Sequence, residues 1–146
     1  MLLDTERTAG GFAPAGTTLT TRALTARILD TDATVWASSL DQEPITASRH
    51  LLLTHLTDLV NTGMTFAEEA RRTLLNWGKM PQLVRNGRAI VTFRHQNAAK
   101  ITVWALRTDG ERLHTLPVTR TPDGFQLELA VKGPDGARML YEIVVD

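Results

Sequence analysis

Cysteine is absent from all 146 residues. That excludes a disulfide scaffold, a thiolate nucleophile and any cysteine-ligated zinc site, and it fits a reducing or an oxidising compartment equally. A charge excess of either sign is also missing, because sixteen lysines and arginines balance sixteen aspartates and glutamates. A nucleic-acid platform normally carries a basic excess or stripe, so none is expected here. The nearest approach to a stripe is Arg71, Arg72, Lys79, Arg85 and Arg88, which Glu68, Glu69 and intervening apolar residues break into a mixed, solvated face. No apolar run nears the ~20 residues that cross a bilayer. The first residues, MLLDTERTAGG, lack the basic and apolar regions of a signal peptide.

What is present is alternation. In 125–131, Phe125, Leu127, Leu129 and Val131 point one way while Gln126, Glu128 and Ala130 point the other, the pattern of a strand with one buried and one wet face. Segment 89–95 alternates through Ala89, Val91 and Phe93, and 33–40 sets Val35 and Ala37 against Trp36 and Leu40. Ile101–Leu106, 139–145 and His50–Leu56 are apolar on both faces, which makes them central strands or strands at an intersheet contact. Turn chemistry divides these runs at Asp109-Gly110, Pro122-Asp123-Gly124, Gly133-Pro134-Asp135-Gly136 and Asn86-Gly87. Strands at intervals of about 8–12 residues predict one all-β domain over 1–146, an antiparallel β-sandwich of about eight strands closing in a meander. A chain of this length buries roughly 68–70% of its unfolded surface, enough for a real core. Two segments are expected to depart from strand. The Gly/Ala/Thr-rich stretch 8–21 reads as a loop. Thr65-Phe66-Ala67-Glu68 fits a capping box for a short helix over 66–76, with Thr73-Leu74-Leu75 as an edge strand in the competing reading.

Reactive constellations are sparse. His50 and His55 are five residues apart, hence on opposite faces of one strand, and His95 and His114 lack a neighbouring carboxylate pattern. A metal site needs three or four converging ligands, so no metal and no cofactor is expected. A small metal-dependent enzyme would require His50, His95 and His114 to converge. Glycoside hydrolysis requires two carboxylates about 5–10 Å apart. Asp41 and Glu43 are turn residues in DQEP, and Glu128 and Glu142 approach each other only if their strands pair. Neither a nucleophile elbow nor a phosphate loop is present, so no catalytic residue is assigned. Aromatic rings offer sugars an apolar face. Trp104 and Tyr141 lie in the most apolar strands and are expected in the core, which leaves Trp36 and Trp77 as the carbohydrate-binding candidates.

The distinctive text is 38–85. Its ordered series Ser39-Leu40-Asp41, Pro44, Ser48-Arg49, 51–54, Asn61-Thr62-Gly63-Met64, Trp77-Gly78, Pro81 and Leu83-Val84 resembles the C-terminal β-sandwich that follows the TIM barrel in large bacterial glycoside hydrolases of the retaining, clan A type. Asp4-Thr5-Glu6-Arg7-Thr8 with Gly10-Gly11-Phe12 resembles that domain's first strand and loop, and Gly133-Pro134-Asp135-Gly136 with Tyr141-Glu142-Ile143 its last hairpin. The resemblance implies an immunoglobulin-like, noncatalytic accessory domain with a catalytic barrel as partner and an extracellular or periplasmic location. Both catalytic carboxylates would sit on that barrel. A carbohydrate-binding module acting alone on polysaccharide is the alternative. On the residues themselves, Asn61-Thr62-Gly63 suits a turn with Gly63 at positive φ, and Arg49 suits a guanidinium reaching across the sandwich edge to a carboxylate or carbonyl.

Overall fold

The structure, a computed structural model, describes residues 1–96 and 100–146. Strands are numbered β1 to β18 in chain order. One antiparallel sheet of seven runs β1 (Leu2–Asp4), β2 (Thr8–Ala13), β5 (Ala33–Ser39), β6 (His50–Leu56), β18 (Leu140–Val145), β12 (Ile101–Leu106), β13 (Arg112–Leu116). A second sheet of five runs β14 (Thr119–Thr121), β15 (Gly124–Ala130), β11 (Arg88–Arg94), β4 (Leu24–Ile28), β3 (Thr18–Thr20). The expected all-β sandwich is therefore present, with twelve strands in its two sheets. The remaining strands form short ladders: β7 (Leu59–Thr62) with β10 (Lys79–Val84), β8 (Thr65–Phe66) with β9 (Leu74–Asn76), and β16 (Lys132–Gly133) with β17 (Gly136–Ala137).

The alternation read from the sequence sets the core. Val35 and Ala37, Leu51 and Leu53, Val103 and Ala105, and Tyr141, Ile143 and Val145 face inward from the larger sheet. Leu24, Ala26 and Ile28, Ala89, Val91 and Phe93, and Phe125, Leu127 and Leu129 face them from the smaller. Phe93 and Phe125 are directly paired across β11 and β15, and their rings stack at 4.9 Å. The strands apolar on both faces, β6, β18 and β12, lie side by side inside the larger sheet, as that pattern requires.

Tyr141 ties the two layers together. Its ring is fully buried, and its hydroxyl donates to the Ala130 carbonyl of the opposite sheet at 3.2 Å. Burial pushes the phenol up to about 12. Tyr141→Phe is expected to cost about 1 kcal/mol in urea unfolding, the usual net value of a neutral buried hydrogen bond. A cost below a few tenths would show that the bond contributes nothing.

Three expectations need correction. Residues 66–76 contain no helix. Glu68 Oε1 accepts from the Thr73 amide at 2.7 Å, across a loop in which Arg71 takes φ 54°, so the capping-box pattern closes the β8–β9 turn instead. Stretch 8–21 is not a loop, because it contains β2 and β3; Gly10 and Gly11 lie inside β2 where other backbone comes close. The closing strands are not a meander: β12–β13 belongs to the large sheet, β14–β15 to the small one, and β18 returns to the middle of the large one.

Candidate functional site

The two outer faces differ in chemistry. The smaller sheet presents Thr25, Arg27, Thr92, Arg94, Gln126 and Glu128 outward, with Ile90 among them. The larger sheet presents Leu3, Phe12, Trp36, Leu52, Trp104, Leu140 and Val144, interspersed with Thr8, Thr34, Ser38, His50, Thr102 and Glu142. Trp104 is thus half-buried on the outer face rather than in the core, because both faces of β12 are apolar and alternation alone does not orient it. Arg112 stacks over its ring at 5.3 Å and reaches back to Glu142. Glu142 also meets His50 Nε2 at 2.7 Å. The Arg112 hydrogen bonds, opposed by burial and reinforced by His50, hold its carboxyl below the usual range. The Arg112 and Glu142 charges offset each other within this face.

Between β6 and β11 the chain leaves the sandwich as an arm, 59–84. Its base is pinned by Asp58, which accepts from both terminal nitrogens of Arg71 at 2.8 and 2.7 Å and pairs with Arg85 at 3.2 Å. The Arg71 bonds, against the opposing effect of burial, keep the Asp58 carboxyl low. The motif text of the sequence builds the shaft. Gly63 has the expected positive φ of 74°. Asn61 Nδ2 donates to the Trp77 carbonyl at 3.0 Å, and the Thr62 hydroxyl donates to the Pro81 carbonyl at 2.7 Å. Gly78, at φ 69°, fits because a Cβ there would collide with the Thr62 carbonyl oxygen. Asn-Thr-Gly and Trp-Gly are therefore two halves of one backbone lock. The arm displays Leu75, Trp77 and Met80 at 67, 71 and 72% exposure, with Leu59 and Leu83 also exposed.

At the root of the arm lies an open cleft of about 490 Å³, walled by Phe12, Thr31, Asp32, Thr34, Asp58 and Arg85 among others. Phe12 and Trp36 stand beside each other on the outer face. Gly10 pairs with Trp36, and Phe12, two residues on, pairs with Thr34. Of the two sugar-binding candidates, Trp36 borders this corner and Trp77 lies on the arm. Phe12 is not among the sequence candidates, because the Gly/Ala/Thr-rich composition of 8–21 masks its strand; the signal for it is the alternation of Thr8, Gly10 and Phe12 with Ala9, Gly11 and Ala13.

The other candidates have separate roles. Glu128 and Glu142 belong to different sheets and do not pair. His95 Nε2 meets the Ser48 carbonyl at 2.8 Å, and His114 Nδ1 meets Asp135 at 2.8 Å. His50 faces out and His55 in, as their spacing predicts. Among the described residues, no three His, Asp or Glu side chains are grouped to hold a metal ion. Arg49 donates from Nε to the Val145 carbonyl at 3.3 Å, but Val145 ends the neighbouring strand of the same sheet, so the guanidinium joins β6 to β18 and does not cross the sandwich edge. Comparison with protein-family models, with curated proteins and with solved structures finds no match to this chain.

Proposed function

We propose that this chain is a noncatalytic accessory domain of a glycoside hydrolase, supporting a catalytic barrel that is not part of it. The observation that carries this reading is the arm. Leu75, Trp77 and Met80 are held outward on a locked two-stranded shaft, and an isolated two-stranded ribbon is marginal in water. Exposed apolar groups concentrated on a preorganised projection fit a surface that another folded domain covers. The resemblance of 38–85 to the sandwich behind clan A barrels supplies the kind of partner, and with it an extracellular or periplasmic setting. The lock residues that carry the resemblance, Asn61, Thr62, Gly63, Gly78 and Pro81, are also the ones that shape the arm.

The test uses the purified chain and the barrel encoded beside it. The chain alone is expected to release no sugar from a panel of aryl glycosides. Adding it to the barrel is expected to raise the barrel's melting temperature, and a Trp77→Asp, Met80→Asp double variant with unchanged stability of its own is expected to abolish that rise. Turnover by the chain alone, or a gene with no barrel-coding sequence adjoining this one, would overturn the reading.

A further inference from the structure

The corner where β1, β2 and β5 meet the arm root has a composition that neither the core nor the arm explains. Leu3 pairs with Gly10, and Gly10 pairs with Trp36, so a glycine separates two large apolar side chains in one outward row. Gly10 is itself buried, so the flanking Leu3 and Trp36 side chains close over its backbone and the row is continuous. Glycine is required there, since a Cβ at residue 10 would collide with the Val35 carbonyl oxygen and with Cα of Trp36. Phe12, 45% exposed, lies in the next row and also forms part of the wall of the 490 Å³ cleft. An aromatic and aliphatic platform therefore runs without interruption into a polar cavity, and the cavity's size falls within the few hundred to ~1,000 Å³ of small-ligand sites.

The polar side of the cavity has unused hydrogen-bonding capacity. Asp32 uses Oδ1 to accept from the Ala15 amide at 2.8 Å, and among the described residues its Oδ2 has no partner. The hydroxyls of Thr31 and Thr34 likewise make no hydrogen bond among the described residues, whereas that of Thr57 is committed to the Arg85 carbonyl. Charge narrows the ligand class. Asp30 is paired with Arg88 at 2.7 Å, and Asp58 with Arg71 and Arg85. The Arg88 hydrogen bond, opposed by burial, holds the Asp30 carboxyl low, so it stays an acceptor and not an acid. With its carboxylates largely matched by guanidinium groups, the cleft gives little attraction to a strongly anionic or cationic ligand.

A pyranose ring has an apolar C–H face and a belt of hydroxyls, each both donor and acceptor. That combination matches rings beside a groove that opens onto hydroxyl, carboxylate and guanidinium groups. We infer that this corner binds a neutral glycan chain, with sugar C–H faces on Trp36 and Phe12 and hydroxyls toward Asp32, Thr31, Thr34 and Arg85. The site is separate from the exposed apolar residues of the arm, so the inference stands or falls independently of the accessory-domain reading.

Affinity gel electrophoresis of the whole chain tests it, with soluble neutral polysaccharides (β-glucan, arabinoxylan, galactomannan, hydroxyethylcellulose) cast in the gel and polygalacturonate and heparin as charged controls. Retardation by at least one neutral polysaccharide is expected. Trp36→Ala and Phe12→Ala should each weaken it by about tenfold or more, the worth of one lost stacking contact. Asp32→Asn, which leaves the aromatic platform intact, should weaken it several-fold with an unchanged melting temperature, which separates ligand contact from folding. Trp77→Ala should bind as the native chain does. No retardation by any neutral polysaccharide, retention by the charged controls alone, or loss of binding only in Trp77→Ala would overturn the inference.

Discussion

Asp41→Ala is expected to lower the unfolding free energy by about 3 kcal/mol, because this one carboxylate organises the loop that closes an end of the sandwich. Its Oδ1 accepts from the Ser39 and Ser48 hydroxyls, both at 2.8 Å, and from the Glu43 amide at 3.3 Å; Oδ2 accepts from the Arg49 amide at 2.6 Å. Ser48 is fully buried, and its oxygen also lies 2.9 Å from the His50 carbonyl, so loss of Asp41 disturbs the start of β6 as well. The loop carries fully buried Ile45 into the core, where the Ile45 amide donates to Glu6, and its Ser48 carbonyl holds His95. Burial raises the Asp41 pKa, but the bonds from Ser48, Ser39, Arg49 and Glu43 together outweigh it and leave the carboxyl far below its ordinary value of 3.8. Hydrogen bonds to a charged group are worth about 1.5–3 kcal/mol each and are not additive within a cluster, which sets the estimate. Asp41→Asn keeps one carbonyl acceptor and is expected to cost about half as much. Urea unfolding at pH 7 measures both, and a loss under 1 kcal/mol for the alanine variant would show that the loop is held by its apolar contacts instead.

Stability is expected to fall by about 3 kcal/mol as pH drops from 6.5 to 4, through His55. This ring is fully buried, its amide bonds to the Met139 carbonyl, and neither ring nitrogen has a hydrogen-bond partner among the described residues. Burial disfavours the imidazolium and lowers the pKa from 6.5 to about 4. In that window the unfolded chain binds the proton and the folded one does not, so each step toward acid favours unfolding. The full contribution is present above pH 6.5 and is gone below 4. Asp41 acts later, since its native pKa lies below the unfolded value and its contribution is lost only as pH falls beneath 3.8. The acid profile should therefore descend in two stages. His55→Leu removes the titrating group and two unpaired polar atoms while filling similar space, so it is expected to flatten the first stage and leave the second. Parallel pH profiles for the native chain and His55→Leu would refute the assignment.

The parts of this fold legible in the sequence are those fixed by neighbours along the chain. Phe125, Leu127 and Leu129 had to share a face, and Asp109-Gly110 and Pro122-Asp123-Gly124 had to turn. The sheet each hairpin joins depends on pairing between distant segments, which is why β12–β13 and β14–β15 separate into different layers without any local sign of it. β2 was hidden because Gly10 and Gly11 are poor strand formers, present for close backbone approach and not for propensity. The capping-box pattern at Thr65 misled because a Glu three residues on can take a loop amide as readily as a helical one. Of the candidate site, Trp36 and Trp77 stood out by residue type alone. Phe12, Asp32 and Trp36 become neighbours only through strand register and the loops it brings together.

The position of β18 has a consequence for biosynthesis. It pairs with β6 on one side and β12 on the other, along nearly its whole length. Two groups of strands, β1-β2-β5-β6 and β12-β13, are therefore joined only by Leu140–Val145. During translation both groups emerge before β18 with open, hydrogen-bonding edges, and the larger sheet cannot close until Leu140–Val145 have cleared the ribosome. Until then the facing edges of β6 and β12 are open to pairing with a strand of another nascent chain.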